Sequence, residues 1–148
     1  MLKLNIQNET ARLRAVILGI ANSNGGVPEV KDCYDPKSIQ HVLSGTYPFE
    51  EDMIREIDGV AEIFKKYNIK VYRPDVIENY NQIFSRDIAF VIEDKFIQAN
   101  ILPDREREYK AIYNVISQID SDKIIVLPEE CHVEGGDVMP WNDYIFVG

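Results

Sequence analysis

Two stretches of the chain carry apolar residues at three- and four-residue spacing, the pattern of a helix packed on one face. The first helix is predicted to begin after Pro48, with acidic residues in its first turn, and to end near Lys66. Its apolar face would comprise Phe49, Met53, Ile57, Val60 and Phe64. The second helix is predicted to follow Pro103. Its apolar face would comprise Tyr109, Ile112, Ile116 and Ile119. Both faces are interpreted as core packing.

Short apolar runs that end at glycine, proline or a turn pair predict β-strands between these helices. The predicted strands are residues 14–18, 69–72, 87–92, 95–99, 123–127, 137–141 and 144–147. Two-residue turns at 93–94 and 142–143 would join neighbouring strands as hairpins. The polar stretch 21–47 is predicted to be a long loop, and a loop of that length in a compact domain is usually functional or mobile.

The order of these elements repeats with an offset of about fifty residues. Each unit is predicted as strand, strand, helix, strand, so the fold class is α/β. Units of this kind bury their faces against neighbours and come in closed sets. The last unit lacks its helix and final strand, and a domain rarely ends on an exposed edge strand. Residues 1–148 are therefore predicted to be a single incomplete domain. The exposed last strand could also pair with another edge, which leaves homo-oligomerisation open.

Composition narrows the class of protein. The chain has 148 residues, of which 45% are hydrophobic and 28% charged, as in a globular domain. Its net charge of −9 argues against nucleic-acid binding. That charge fits a cationic small substrate, although solubility is the commoner reason for it. The two cysteines form no paired motif, and no apolar run is long enough for a signal peptide or a membrane span. A cytoplasmic location is the default expectation.

Acidic residues at two equivalent strand starts are the main candidate for chemistry. Glu134 and Asp137 flank the pair Gly135-Gly136, and Asp87 precedes the corresponding strand of the earlier unit. Glycines permit close backbone approach, so these carboxylates could face one cleft. A divalent metal ion is one candidate for binding to these carboxylates, but sequence motifs typical of hydrolytic zinc, calcium and phosphate sites are absent. A guanidinium ion suits such a cluster better, because it is planar, charged and forks its N–H donors onto carboxylates.

The neighbouring pair Cys131-His132 has the composition of a nucleophile and its base. Adjacent side chains on an extended segment point to opposite faces, so the two would not meet. The sequence therefore predicts a packed Cys131 beside a partly buried His132 rather than a catalytic dyad.

Four segments, taken together and in order, resemble the amidinotransferase and arginine deiminase superfamily. These segments are Arg12–Gly19, Asn81–Asp87, Leu102–Arg105 and His132–Asp137. The resemblance covers nearly the whole chain but only about the first half of a family member. It implies the pentein fold, a propeller of five αβ units around a central active site. This chain would contain about two to three of those units.

The resemblance also implies a reaction that needs no cofactor. In the family, a Cys thiolate attacks the guanidinium carbon of arginine or a related compound, and a His acts as acid and base. Hydrolysis of the covalent intermediate gives a deiminase or a dimethylarginine-type hydrolase, and attack by an amine gives an amidinotransferase. The sequence does not choose among these. The family's catalytic His and Cys would lie beyond Gly148, and neither Cys33 nor Cys131 matches the nucleophile. The isolated chain is therefore predicted to be inactive.

Roles for individual residues follow from the same resemblance. Asp87 would grip the guanidinium nitrogens, and Glu134 would orient the catalytic His. Asn81 and Arg105 would bind the amino-acid end of the substrate, where Arg105 suits a carboxylate. Arg86 would serve to fix Asp87, and Asp137 would support the site or the fold. Two alternatives remain: a non-catalytic module of the same fold that binds guanidino compounds, and a carboxylate metal site.

Overall fold

A computed structural model describes residues 1–33 and 35–148 of the chain. The strands are β1 (Ala15–Ile17), β2 (Lys70–Tyr72), β3 (Ala89–Ile92), β4 (Lys95–Gln98), β5 (Ile124–Val126), β6 (Val138–Trp141) and β7 (Tyr144–Val147). The α-helices are α1 (Pro36–Ser44), α2 (Glu50–Lys66), α3 (Arg107–Ala111) and α4 (Tyr113–Ile116). Single 3-10 turns lie at Val30–Asp32, Pro103–Arg105, Ser121–Lys123 and Gly135–Asp137.

The strands form three small sheets. β1 and β2 pair in parallel across the connection that contains α2. β3 and β4 form an antiparallel hairpin, and β5 extends it by pairing in parallel with β4. β6 and β7 form a second antiparallel hairpin. The predicted α/β class and the two predicted hairpins are confirmed. The number of propeller units and the single-domain assignment stay predictions.

Helix α2 agrees with the sequence pattern in its position and in the charges at its ends. The prediction that its whole apolar face packs in the core was wrong for Phe49 and Val60, which are 70% and 41% exposed. Acidic residues occupy its first turn and lysines its last, an arrangement that the helix dipole favours. Met53 and Ala61 are buried on its inner face. The helix lies between β1 and β2 in the chain and packs on β2.

Two further predictions about helices were wrong. The stretch 21–47 is not a continuous loop, because it contains α1. The Asp35 side chain accepts a hydrogen bond from the Ser38 amide at 2.8 Å, and Gly45 ends the helix in the left-handed region at φ 67°. The second predicted helix is broken into α3 and α4 at Ile112, whose ψ of 11° interrupts the helical path. Of the predicted apolar face, Ile112, Ile116 and Ile119 are nevertheless buried, and Tyr109 is partly buried against them.

The hydrophobic core lies between the β3–β4–β5 sheet and helices α3 and α4. Its buried members are Ile88, Phe96, Ile112, Ile116 and Ile119, and the N-terminal residues Leu2 and Leu4 pack against them. Ile88 is almost completely buried, so the core anchors the chain directly after Asp87. No helix in the described part of the chain is long and apolar enough to span a bilayer.

Candidate functional site

The two acidic motifs lie next to each other, joined by their backbones. Asp87 ends a turn in which its amide donates to the Phe84 carbonyl at 3.1 Å. Its own carbonyl accepts a hydrogen bond from the Gly135 amide at 2.8 Å. This bond brings the segment that precedes β6 against the segment that precedes β3. Residues about fifty positions apart thus come into contact through equivalent places in the repeat.

The two glycines of the second motif leave room for this contact in different ways. A Cβ on Gly135 would lie 2.2 Å from the Arg86 carbonyl oxygen and 2.8 Å from that of Ala89, both far inside van der Waals contact. A Cβ on Gly136 would lie 2.7 Å from Oδ1 of Asp87. The close approach inferred from the glycine pair is therefore present. Gly135 allows the two backbones to meet, and Gly136 leaves room for the Asp87 carboxylate.

The carboxylates surround a guanidinium that belongs to the chain itself. The Arg105 side chain is only 8% exposed, and its Nη1 donates to Oδ2 of Asp87 at 2.9 Å. Its Nε and Nη2 donate to the two oxygens of Glu108 at 2.7 and 3.3 Å. Nη2 also donates to the Phe84 carbonyl at 3.1 Å, and Glu134 Oε1 lies 3.6 Å from Nη1. Arg105 thus links the two acidic motifs to each other.

Glu108 is the member of this cluster that the sequence analysis missed. Its side chain is 3% exposed, and it forms a two-point ion pair with Arg105, three residues earlier. The pair could have been predicted from the spacing Arg105-x-x-Glu108 at the start of a helical segment, since residues three apart share a helix face. Such pairs are common on surfaces, and only tertiary packing makes this one a buried pair.

Burial and pairing act in opposite directions on this pair. Burial raises the pKa of Glu108, and the hydrogen bonds and charge of Arg105 offset only part of that effect. Burial also works to lower the pKa of Arg105, but hydrogen bonds to Glu108 and Asp87 outweigh it and raise that pKa further. The guanidinium is therefore fully charged. The carboxylates of Asp87, Glu108 and Glu134 outnumber the single cation of Arg105, so the cluster carries an excess of negative charge. The exposed part of the cluster is the side of Glu134 and Asp87, whose side chains are 37% and 20% exposed.

The other predicted site residues lie outside this ion-pair cluster. The Asn81 side-chain oxygen accepts a hydrogen bond from the Ile83 amide at 3.1 Å and so shapes a turn. Arg86 donates to Glu9 at 3.2 Å and to the Val138 carbonyl at 3.0 Å, whereas the Asp87 carboxylate is held by Arg105. These contacts differ from the expectation that Arg86 fixes Asp87. The Asp137 side chain is exposed, and its backbone contacts Glu134 and Gly148.

The cysteine and histidine pair also differs from the prediction. Cys131 and His132 are both exposed, because they lie in the loop before the Gly135–Asp137 turn and not in a strand. The Cys131 carbonyl accepts a hydrogen bond from the Asn100 side chain at 3.1 Å, which fixes the backbone and leaves the thiol outside the core. The expected packed cysteine and partly buried histidine are therefore wrong.

In residues 1–33 and 35–148, no group of three His, Cys, Asp or Glu side chains is arranged to hold a metal ion. Clefts of about 210 and 240 Å³ occur elsewhere, beside Ile6 and Pro140 and beside Ala61 and Val71. The residues of the acidic cluster do not line either of these clefts.

The structure resembles three solved enzymes. SxtG, an amidinotransferase of the saxitoxin biosynthetic pathway from Microseira wollei, superposes with a TM-score of 0.67 and 16% identity over 92% of this chain and 52% of its own. The inosamine-phosphate amidinotransferase StrB1 from Streptomyces griseus superposes with a TM-score of 0.63 and 15% identity, over 93% of this chain and 52% of its own. DDAH from Pseudomonas aeruginosa, a cysteine-to-serine mutant complexed with citrulline, superposes with a TM-score of 0.64 and 13% identity, over 92% of this chain and 50% of its own.

These likenesses define the class of fold. No protein-family model and no curated protein matches the sequence. The chain nevertheless folds like about half of these amidinotransferases and DDAH, and this pentein-like fold is the one that the four motif segments led us to expect. It spans about half the length of each matched structure, in agreement with the prediction that it corresponds to part of a family member.

Proposed function

We propose that the chain supplies the substrate-binding half of a guanidino-group-modifying enzyme of the deiminase or amidinotransferase type. The observation that carries this proposal is that Asp87 and Glu134 both lie beside the guanidinium group of Arg105. The two acids come from equivalent places in two repeat units, and a pair of glycines makes their contact possible. Two of the three matched structures are amidinotransferases by name, and the third, DDAH, was solved with citrulline bound.

The geometry of the carboxylates supports a second, external guanidinium. Asp87 uses Oδ2 for Arg105, and its Oδ1 accepts no hydrogen bond within residues 1–33 and 35–148. Glu134 contacts Arg105 through Oε1 only, at 3.6 Å, and is the most exposed acid of the cluster. Because the carboxylates outnumber the cation, their field attracts another positive group. Arginine or a related guanidino compound is the ligand class that matches this charge and planarity.

The proposed reaction uses groups that the cluster would position. Asp87 would accept hydrogen bonds from the substrate guanidinium, and Glu134 would orient a His that protonates the departing amine. A Cys thiolate would form a bond to the guanidinium carbon, and water or an amine would then displace the thiolate. No hydrogen bond joins a cysteine thiol or histidine ring to either acid in the described part of the chain. We therefore expect no turnover by this chain alone.

The contacts of Arg105 favour a different role from the predicted one. All of its nitrogen atoms already donate to protein oxygens, and its side chain is almost fully buried. These contacts support Arg105 as the residue that holds Asp87 in place, and they do not support a contact with a substrate carboxylate. The predicted substrate contact of Asn81, and the supporting roles of Arg86 and Asp137, stay predictions.

A non-catalytic binding or interaction module is the second candidate. It is favoured by the same ion-pair cluster, because Arg105 already satisfies much of the acidic charge inside the protein. In that case, the carboxylates would stabilise the fold or bind a ligand, and no reaction would be catalysed.

Ligand binding is tested by thermal unfolding of the chain with arginine or agmatine and with citrulline, which has an uncharged ureido group. If the dissociation constant is on the order of 1 mM, a ligand at about 10 mM stabilises the fold by about 1.4 kcal/mol, which raises the Tm by a few degrees. Citrulline should give no shift. Asp87→Asn should abolish the shift, whereas Asp143→Asn, which removes the same charge from an exposed turn, should retain it.

Two results would contradict the proposal. One is the absence of any shift with guanidinium ligands at millimolar concentration, and the other is an equal shift in the Asp87→Asn variant. Turnover is tested in a longer protein that contains this chain, by release of citrulline or ornithine from arginine. Binding without either product would favour the non-catalytic module.

A further inference from the structure

Arg105 has little capacity left for a ligand, because its N–H groups are bonded to the protein. Its Nε and Nη2 donate to Glu108, its Nη1 donates to Asp87, and Nη2 also donates to the Phe84 carbonyl. An arginine side chain has five N–H donors, and the remaining one is on Nη1, which lies 3.6 Å from Oε1 of Glu134. Because Arg105 is only 8% exposed, a ligand at the cluster meets the carboxylates of Asp87 and Glu134 rather than the guanidinium.

An outward turn of Arg105 toward a ligand would leave Glu108 as a buried charge without a partner. Glu108 is 3% exposed, and Arg105 binds both of its oxygens. Removing one partner of a buried ion pair destabilises a protein by more than a new, partly exposed pair stabilises it, because the abandoned charge is poorly solvated. Arg105 therefore stays turned inward when a ligand binds.

Two neighbouring arginines are the other cations that a ligand carboxylate could contact. Arg86 is already paired with Glu9 at 3.2 Å. Arg107 is exposed, and its guanidinium lies over the Tyr80 ring at 5.0 Å from the ring centre. Within residues 1–33 and 35–148, the acids of the cluster form ion pairs with Arg105 and with neither of these two.

We propose that the site selects guanidino compounds that lack a carboxylate, such as guanidinoalkylamines, over arginine itself. The inference rests on the proposed binding of a guanidinium by Asp87 and Glu134, and it names the substrate class of that site. The guanidinium end of either ligand would meet the same acids. The far end of arginine brings a carboxylate into the field of three carboxylates and one cation, whereas a guanidinoalkylamine brings only a second positive charge.

The expected preference follows from the excess of two negative charges in the cluster, three carboxylates less one guanidinium. In a partly exposed site, a like charge about 7 Å away weakens binding by roughly threefold to sevenfold. Two such charges should therefore disfavour arginine by about tenfold or more. The preference should shrink as salt is added, because salt screens exposed charges.

The test measures dissociation constants by titration calorimetry for three ligands at low and high ionic strength. The ligands are arginine, agmatine, which lacks the carboxylate, and argininamide, in which a neutral amide replaces it. Agmatine and argininamide should each bind about tenfold more tightly than arginine at low salt. Argininamide separates the effect of the carboxylate from that of the rest of the α-carbon, because it keeps every other group of arginine.

Two matched variants test the cause of the preference. Glu108→Gln removes one negative charge and keeps the shape of the side chain, so agmatine should exceed arginine by only about threefold. Glu106→Gln removes the same charge from an exposed position two residues away and should leave the preference nearly unchanged. Each preference is a ratio of two constants in one variant, so a loss of stability alone does not change it.

The outcomes separate this inference from the proposed function. Arginine that binds as tightly as agmatine and argininamide would overturn the inference alone, because a guanidinium would still be bound. A selective loss of arginine affinity in Arg107→Gln would also overturn it, since the carboxylate would then contact Arg107. If none of the three ligands binds at millimolar concentration, the inference and the proposed function are both wrong.

Discussion

Replacing Gly136 by alanine is the most informative perturbation of the acidic cluster, because it acts on one carboxylate. The added Cβ would lie 2.7 Å from Oδ1 of Asp87, whereas ordinary contacts begin near 3.4 Å. The carboxylate must therefore move by about 0.7 Å. The clash involves the end of a side chain and not backbone, and Gly136 has no positive φ, so the fold can accept the change.

The displacement should weaken the ion pair that Asp87 makes with Arg105. Their hydrogen bond of 2.9 Å leaves little room for movement of Oδ2. A hydrogen bond to a charged group contributes about 1.5–3 kcal/mol, so partial loss should cost about 1 kcal/mol of unfolding free energy. Affinity for a guanidinium ligand should fall more, by about tenfold to a hundredfold, because misplacement of this size removes oriented contacts.

Two glycine variants are matched controls for this measurement. Gly135→Ala places its Cβ 2.2 Å from a backbone oxygen, which cannot move alone, so most of the folded protein should be lost. Gly59→Ala in α2 meets nothing within 4 Å and should stabilise the helix by about 0.5–1 kcal/mol. Denaturant unfolding, arginine binding and the Arg105 side-chain NMR signals would be measured for each variant. Unchanged Arg105 signals and arginine affinity in Gly136→Ala would refute the reasoning.

Three further outcomes follow from buried or hydrogen-bonded groups. Glu108→Ala should destabilise the protein by about 3 kcal/mol in denaturant unfolding, because it leaves the buried Arg105 without its two-point partner. Phe96→Ala should cost about 3–5 kcal/mol through a cavity in the core, and a loss below 1 kcal/mol would contradict the assigned core. Asp35→Ala should cost about 1 kcal/mol near neutral pH. Hydrogen bonds from Ser38 lower the pKa of Asp35, so this stabilisation is present above the ordinary value of 3.8 and disappears as the pH falls through the folded pKa, which unfolding curves of both proteins at several pH values would show.

The regular elements were largely predictable, because local pattern and end signals determine them. Helix α2 has its acidic start, its lysine end and its apolar stripe in one continuous stretch. The hairpins have apolar runs on both sides of a two-residue turn. Helix α1 was missed because its signals, an Asp-Pro start and a glycine end, enclose a mostly polar helix with no buried residue. The break at Ile112 was missed because the apolar spacing continues across it.

The acids of the candidate site carry a signal in the sequence, whereas the arginine at its centre does not. Asp87 and Glu134 stand out because each lies at the start of an equivalent hairpin, and the glycines beside Glu134 indicate close approach. The position of Arg105 could not be read in this way. Whether an arginine reaches outward to a ligand or inward to a carboxylate depends on which acids lie within a few ångströms, and those acids come from three separate segments.

The sequence by itself determined the α/β repeat, the two hairpins and the acids at their starts, since spacing and turn chemistry act between near neighbours. Tertiary structure alone decided that Arg105 and Glu108 are buried together and that Gly136 makes room for the Asp87 carboxylate. Each of these depends on distances between segments that are remote in the chain. The energies concerned, those of burying charge and of filling space, arise only when such segments meet.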